Sequence, residues 1–213
     1  METKYHKIES VFKRDIQGTK KLIIGEYRNP IVEYLKDNTW IFTEKVDGTN
    51  TRIIWDGYNF EFKGRTDKAE LPKPLLDRLN ELFSNNETEQ LFEQMFGEKV
   101  VVIYCEGYGG KIQKGKLYKP NEDLIVFDIM INNVFLERSD VEGICKSLGL
   151  DIVPIWKECT LTEGIEFVKT SPKSVISDCT MEGLIGKPKV EMRDKKGERI
   201  IVKIKVKDFK HLK

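Results

Sequence analysis

Lys45-Val46-Asp47-Gly48-Thr49-Asn50 sets a lysine, a carboxylate and a glycine at the end of an apolar approach made by Trp40, Ile41 and Phe42. Four more polar clusters interrupt or abut apolar runs. They are Gly64-Arg65-Thr66; Cys105-Glu106-Gly107-Tyr108-Gly109, followed by Lys111, Gln113 and Lys114; Glu182-Gly183 before Leu184 and Ile185; and Lys203-Ile204-Lys205. Lysines neutralise phosphates, carboxylates hold divalent cations, and glycines let a backbone come close to a phosphate. Together the clusters point to a polyanion handled with a divalent metal.

Each cluster alone says less. A period of two puts Lys203 and Lys205 on one face of a strand, with Ile204 on the other. Like charges so close repel unless an anion sits between them. A sheet edge guarded by lysines against aggregation explains the pair equally well. Glu106 and Glu182, each before a glycine, read singly as solvated strand ends. No GxxxxGK[ST] sequence is present, and Gly107-Tyr108-Gly109-Gly110-Lys111 has the wrong spacing and follows a glutamate, so the chain is not a P-loop enzyme.

The elements that must position these residues alternate in type. Asn29 and Pro30 open a short helix as N-cap and first helical residue. Residues 39–44, 49–57 and 59–66 are β-branched, aromatic and punctuated by glycine, which predicts strands. Residues 72–83 and 87–96 carry apolar side chains three and four apart, the spacing of helices that bury one face. Residues 98–107 and 123–132 are nearly continuous apolar runs, expected to be strands buried on both faces. Ser139, with Glu142 three residues on, predicts a helix start, and Gly149 its end. A shorter helix is expected over 162–170. Strands return over 181–194 and 198–209, around a charged turn at Lys195–Gly197. Strand clusters and helix clusters without regular β-α alternation predict an α+β fold. Nothing marks a boundary, so residues 1–213 are expected to form one domain.

The bulk composition agrees with a soluble globular chain: 213 residues, 39% hydrophobic and 33% charged. The 36 basic and 35 acidic residues leave a net charge of +1, which by itself argues for no nucleic-acid partner. Cys105, Cys145, Cys159 and Cys179 form no CxxC pair, and the two histidines, His6 and His211, lie near opposite ends, so no zinc site is expected. Reduced, mostly buried thiols in a cytoplasmic protein are expected. No run approaches the ~20 apolar residues of a membrane span, and the polar N-terminus lacks the apolar core of a signal peptide.

Taken in order, the five clusters resemble the motifs of the covalent nucleotidyltransferases: ATP-dependent RNA ligases, DNA ligases and capping guanylyltransferases. The first is KxDG at Lys45–Gly48, the third YCEGYG at Tyr104–Gly109, the next LIVFDI around Phe127, the fourth EGLI at Glu182, and the fifth KIKVK from Lys203. DNA ligases and capping enzymes usually carry arginine two positions after that first glycine. Asn50 stands here, as in RNA ligases similar to the phage RNA-repair enzyme, and GRTDKAELP and EGYGGKIQKG also look like that family. The resemblance implies a nucleotidyltransferase (adenylyltransferase) domain of antiparallel sheets flanked by helices, an ATP-grasp-like ligase core. Only Asp208–Lys213 follow Lys207, so no OB-fold and no appended C-terminal domain are expected, and a partner protein is a candidate for supplying substrate grip.

The same resemblance implies an ATP-dependent RNA ligase, acting as a monomer, that joins 3′-hydroxyl and 5′-phosphate RNA ends in a nicked duplex or single strands. Lys45 would attack the α-phosphate of ATP, expel pyrophosphate and carry AMP. A free lysine titrates near ~10.4, so a neutral attacking amine requires roughly 4–5 kcal/mol of destabilisation of its ammonium. Lys203 and Lys205 would contribute to that and steady the triphosphate. Glu106 would bind the ribose, Phe127 and Ile185 the two faces of adenine, and Glu44 is a candidate adenine contact. Glu182 would hold Mg²⁺ or Mn²⁺, and Asn50 and Arg65 would serve phosphate and RNA-end recognition. Lys111 and Lys114, near Tyr108, are candidates for a basic-aromatic surface for an RNA strand. Two alternatives are a DNA-joining or capping-type enzyme and a non-catalytic nucleotide or RNA binder.

Overall fold

The computed structural model describes residues 3–212, except for the side chains of His211 and Leu212. In chain order the elements are β1 (Glu9–Ser10), β2 (Phe12–Arg14), β3 (Leu22–Tyr27), α1 (Pro30–Tyr34), β4 (Trp40–Lys45), β5 (Thr49–Trp55), β6 (Phe60–Gly64), α2 (Lys73–Phe83), α3 (Asn86–Phe96), β7 (Val101–Tyr108), β8 (Asp123–Ile131), β9 (Val134–Phe135), α4 (Arg138–Leu148), β10 (Ile155–Cys159), α5 (Leu161–Lys169), β11 (Gly183–Pro188) and β12 (Val202–Lys205). Short 3₁₀ turns cover Gly115–Leu117 and Val206–Leu212. The α+β expectation holds, with mainly antiparallel sheets and helices beside them. The elements fall into two compact units: Asp47–Val153 with the N-terminal residues up to Tyr5, and His6–Val46 with Pro154–Lys213.

In the first unit, five antiparallel strands run in the order β6-β5-β7-β8-β9. One face of this sheet packs Ile53, Ile103 and Ile129 against Leu79 of α2, Phe92 of α3 and Val141 of α4. The apolar stripe of α2 explains its place: Leu75 and Leu79 sit one turn apart and are fully buried, each such burial contributing about 1.5–3 kcal/mol. Between Tyr104 and Cys105 the register with β8 slips, so that Asp128 and Val126 are the paired residues and Phe127 is the extra one. A bulge of this kind re-aims a side chain. Phe127 is only half-buried and packs on the face away from the helices, with Ile54, Val102 and Tyr104.

The second unit is built on the sheet β1-β12-β11-β4-β10, beside the two-stranded β2-β3. Its core gathers Trp40, Phe42, Leu161, Ile165, Leu184 and Ile204. β12 lies inside the sheet, between β1 and β11. Lys203 and Lys205 therefore do not guard an edge.

Local chemistry sets the helix ends. Asn29 caps α1 by accepting the Ile31 N–H. Gly149 ends α4 in the left-handed region, with φ 65°. The start of α4 differs from expectation: it opens at Arg138, and Glu142 accepts a 2.6 Å hydrogen bond from Arg138 Nε instead of reaching back to a serine cap. The capping box belongs to α5, where Thr160 and Glu163 satisfy each other's backbone N–H groups. The expected final strands are shorter. β11 stops at Pro188, Asp194–Gly197 makes the charged turn, and the chain coils into a 3₁₀ turn after Lys205. β1 to β3 and β10 were not foreseen. All four cysteines are free, three of them buried, and no described helix is long and apolar enough to cross a membrane.

Candidate active site

Strand register explains why the lysines of β4 and β12 meet across β11. Gly183 opens β11 and is the cross-strand partner of Lys45 on β4 and of Lys205 on β12. One step along, Ile185 lies between Thr43 and Lys203. Lys45, Lys203, Lys205 and Ile185 thus share one face of the sheet, while Phe42, Leu184 and Ile204 fill the core on the other.

Glu182, the residue before β11, sits between two ammonium groups. Its Oε2 accepts from Lys45 Nζ at 2.6 Å and its Oε1 from Lys205 Nζ at 2.5 Å. The three side chains are 12–20% exposed. Burial by itself would raise the Glu182 carboxyl, but the charges of Lys45 and Lys205 and their hydrogen bonds outweigh it and hold the group below the usual carboxylate range. The sequence raised an anion between Lys203 and Lys205; the carboxylate seen here bridges a different pair. It separates Lys45 from Lys205.

Glu44 faces the other way. It is 1% exposed, on the core face of β4. Its Oε2 accepts from the Val175 N–H at 2.6 Å, and Oε1 has no hydrogen-bond partner among the described residues. Burial raises its carboxyl, partly offset by the Ser174 hydroxyl and the amides of Val175 and Ile176.

In the other unit, Asn50 on β5 and Glu106 on β7 are direct cross-strand partners. Arg52 and Tyr104 form the next same-face pair, and beyond them Phe127 meets Tyr5 edge-on at 5.2 Å. Gly48 precedes this pairing where β5 and β7 close together. A Cβ there would overlap the Gly107 carbonyl oxygen and crowd Glu106 Cγ, so the glycine of the first motif is required by a close backbone approach. Arg65 is exposed, one residue past β6.

Arg52, on this face, escaped the sequence reading, and Asp128, a candidate metal or backbone ligand from its place beside Phe127, has no role assigned there. Arg52 is fully buried yet partnered at all three nitrogens: Nε donates to the Gly64 carbonyl, one terminal nitrogen to Thr3 Oγ1 and the other to Asp67. It fixes the backbone immediately before Arg65. Its signal was an arginine inside Thr51-Arg52-Ile53-Ile54, a run otherwise suited to burial. Asp128 is also buried and accepts the Tyr5 hydroxyl at 2.7 Å.

Among the described residues, no group of three or more His, Cys, Asp and Glu side chains is arranged to hold a metal. What the lysine face offers is one carboxylate, Glu182. Both its oxygens are taken by the Lys45 and Lys205 ammonium groups, so it would serve a magnesium ion, which keeps several waters and takes other ligands from substrate phosphates, only once those lysines are drawn away.

A family model described as RNA ligase matches residues 38–205. No curated protein matches the chain significantly. Solved structures of Naegleria gruberi RNA ligase share the fold. A variant with ATP and Mn is 16% identical, with a TM-score of 0.64, over 85% of this chain and 54% of that one. Another variant, with AMP and Mn, is 18% identical at a TM-score of 0.63, over 83% and 52%. The same ligase with pyrophosphate is 20% identical at 0.62, over 83% and 52%. The chain spans about half the length of these ligases.

Proposed function

The chain belongs to the RNA ligase family, and on that premise we propose that it is an ATP-dependent ligase that joins 3′-hydroxyl and 5′-phosphate RNA ends through a covalent lysyl-AMP intermediate. The observation that carries this reading is the bridge Lys45–Glu182–Lys205, with Lys203 on the same sheet face. A lysine of the KxDG motif is held beside a carboxylate and two further cations, the groups that an attack on a triphosphate needs.

An ion-paired ammonium has no lone pair, so the bridge is a resting arrangement. For attack, Lys45 must leave Glu182 and lose a proton to solvent. Its nitrogen then bonds to the α-phosphorus of ATP as the bond to pyrophosphate breaks, and the leaving group departs with the electron pair. Lys203 and Lys205 stabilise the charge that accumulates on the phosphates. Glu182, once released by the lysines, would help to hold magnesium or manganese, which would supply further charge neutralisation. In the second step an RNA 5′-phosphate oxygen attacks the same phosphorus, the P–N bond breaks, and Lys45 regains its proton. In the third, the 3′-hydroxyl attacks the 5′-phosphorus, the phosphodiester forms and AMP leaves.

The remaining roles rest on the motif resemblance: Glu106 for the ribose, Phe127 and Ile185 for adenine, Asn50 and Arg65 for phosphate and the RNA end; Glu44, whose side chain lies on the core face, would meet adenine only through its backbone. Residues 1–213 then act as one nucleotidyltransferase domain.

The test is incubation with α-labelled ATP and magnesium, followed by denaturation. Label that stays with the polypeptide, and is absent from Lys45→Ala, supports the proposal. Label from GTP instead points to a capping-type enzyme, label with joining of DNA alone to a DNA ligase, and no label from either nucleotide to a non-catalytic binder.

A further inference from the structure

The segment that leaves β7 just after Glu106 carries Lys111, Lys114 and Lys116, three exposed lysines within six residues. Lys119, at the end of the segment, is neutralised: its ammonium meets Asp123 at 2.7 Å and Asp151 at 3.3 Å. The other three side chains have no ion-pair partner among the described residues. The nearest acid, Glu122, uses Oε1 to accept the backbone N–H of Lys111 at 3.0 Å.

A merely solvated loop needs no fixed shape, and this one has it. Gly110 donates to the Lys119 carbonyl, Ile112 to Gly109, Gly115 to Ile112, and Leu117 to Lys114. Ile112 anchors the loop in the core at 6% exposure. Gly115 lies directly on the backbone of Gly109, where a Cβ would overlap it. Gln113 takes a left-handed φ of 49°, a conformation that costs a non-glycine residue roughly 1–2 kcal/mol. A closed, strained scaffold therefore carries three exposed lysines within six residues; the Glu122 carboxylate offsets Lys111 and Lys116 in part, one acid against three bases, which leaves a surplus of positive charge for an anion to face.

We propose that Lys111, Lys114 and Lys116 form a docking surface for the phosphate backbone of duplex RNA. The inference rests on the RNA ligase reading for the identity of the polyanion. Duplex is favoured over single strand because the loop offers no stacking platform. Tyr108 is 3% exposed, so its ring presents no free face to a base, and Tyr118 is half-buried and packs edge-on against it at 6.1 Å. The basic-aromatic surface expected from the sequence reduces to its basic half.

The experiment measures binding of the full chain to a nicked RNA duplex over a series of salt concentrations, without ATP. Replacing Lys111, Lys114 and Lys116 together by alanine should weaken binding at least about ten-fold and make the salt dependence shallower by about one logarithmic unit per lysine engaged. A control triple substitution at Lys99, Lys146 and Lys196, also exposed, should change neither quantity. Retained self-labelling of the loop variant by α-labelled ATP would show an intact fold and first chemical step. Unchanged affinity and slope in the loop variant, equal losses in the control, or failure of the wild-type chain to bind the duplex would each overturn the surface. Self-labelling of the wild type, read separately, decides the ligase proposal whatever the loop does.

Discussion

Lys45 Nζ lies 2.6 Å from Glu182 Oε2, while the other oxygen of the same carboxylate holds Lys205. One acid thus ties the first, fourth and fifth motifs across three adjacent strands. While Glu182 holds Lys45 and Lys205, both its oxygens are occupied; under the proposed mechanism, anything that engages Glu182 would free the proposed nucleophile.

Glu182→Gln therefore affects stability and chemistry in separable ways. Losing a charge-assisted pair of hydrogen bonds and leaving Lys45 and Lys205 without their shared counter-ion should destabilise the fold by about 1.5–3 kcal/mol at neutral pH. The Glu182 carboxyl is lowered in the folded state, so its contribution is present above the ordinary carboxylate range and is lost as pH falls through the folded value. Denaturant melts of wild type and variant should therefore converge in acid. A gap that stays constant with pH would show that the bridge carries no net charge effect. Self-labelling by ATP should fall at least about a hundred-fold in the variant, roughly 2.7 kcal/mol of lost transition-state stabilisation.

Glu44 should behave with the opposite sign. Its carboxyl is raised by burial, so the stability it contributes is fully present below the unfolded carboxylate value and is lost as pH rises through the folded one. Glu44→Gln keeps an oxygen for the Val175 N–H and removes a buried charge whose second oxygen lacks a partner. The variant should match or exceed wild-type stability at neutral pH by about 1 kcal/mol, with the advantage gone near pH 4. Thermal melts at both pH values decide it, and a variant less stable at neutral pH than in acid sinks the argument.

Much of this was legible before any coordinates. The apolar stripes of residues 72–83 and 87–96 predicted helices, which the structure places at Lys73–Phe83 and Asn86–Phe96, and Asn29 and Gly149 marked ends that the structure keeps. Period two put Lys203 and Lys205 on one face, and it also put Glu44 and Lys45 on opposite faces. What could not be read was pairing. Gly183 as the common neighbour of Lys45 and Lys205 depends on a contact between segments more than a hundred residues apart, Gly183 with Lys45, and the pairing of β12 with both β1 and β11 puts Lys203 and Lys205 on an interior strand. The slip that re-aims Phe127 is equally silent in Leu124-Ile125-Val126-Phe127-Asp128-Ile129. β10 hid because only Cys159 of its five residues is buried, which leaves no alternation to detect.

Arg65 separates the steps of the proposed reaction. It is exposed, and the backbone before it is pinned by buried Arg52. If it serves the RNA end alone, Arg65→Ala should self-label with ATP at nearly the wild-type rate, yet seal a nicked RNA at least about ten-fold more slowly. Quantifying protein-bound label and ligated product in the same reaction checks this. Equal loss of both would place Arg65 in the first step.

Gly48→Ala tests whether the first motif needs glycine for backbone geometry instead of flexibility. The added methyl would meet the Gly107 carbonyl oxygen and Glu106 Cγ, and backbone on one side gives little room to relax. Overpacking of this kind costs typically about 1–3 kcal/mol, and here it falls where β5 begins pairing with β7, at Thr49 opposite Gly107. The expected result is a clear loss of thermal stability together with a loss of ATP self-labelling, since Glu106 and Asn50 are carried by the same two strands. A variant that melts like wild type and still labels would show that the strands part freely at this point, and the glycine would need another explanation.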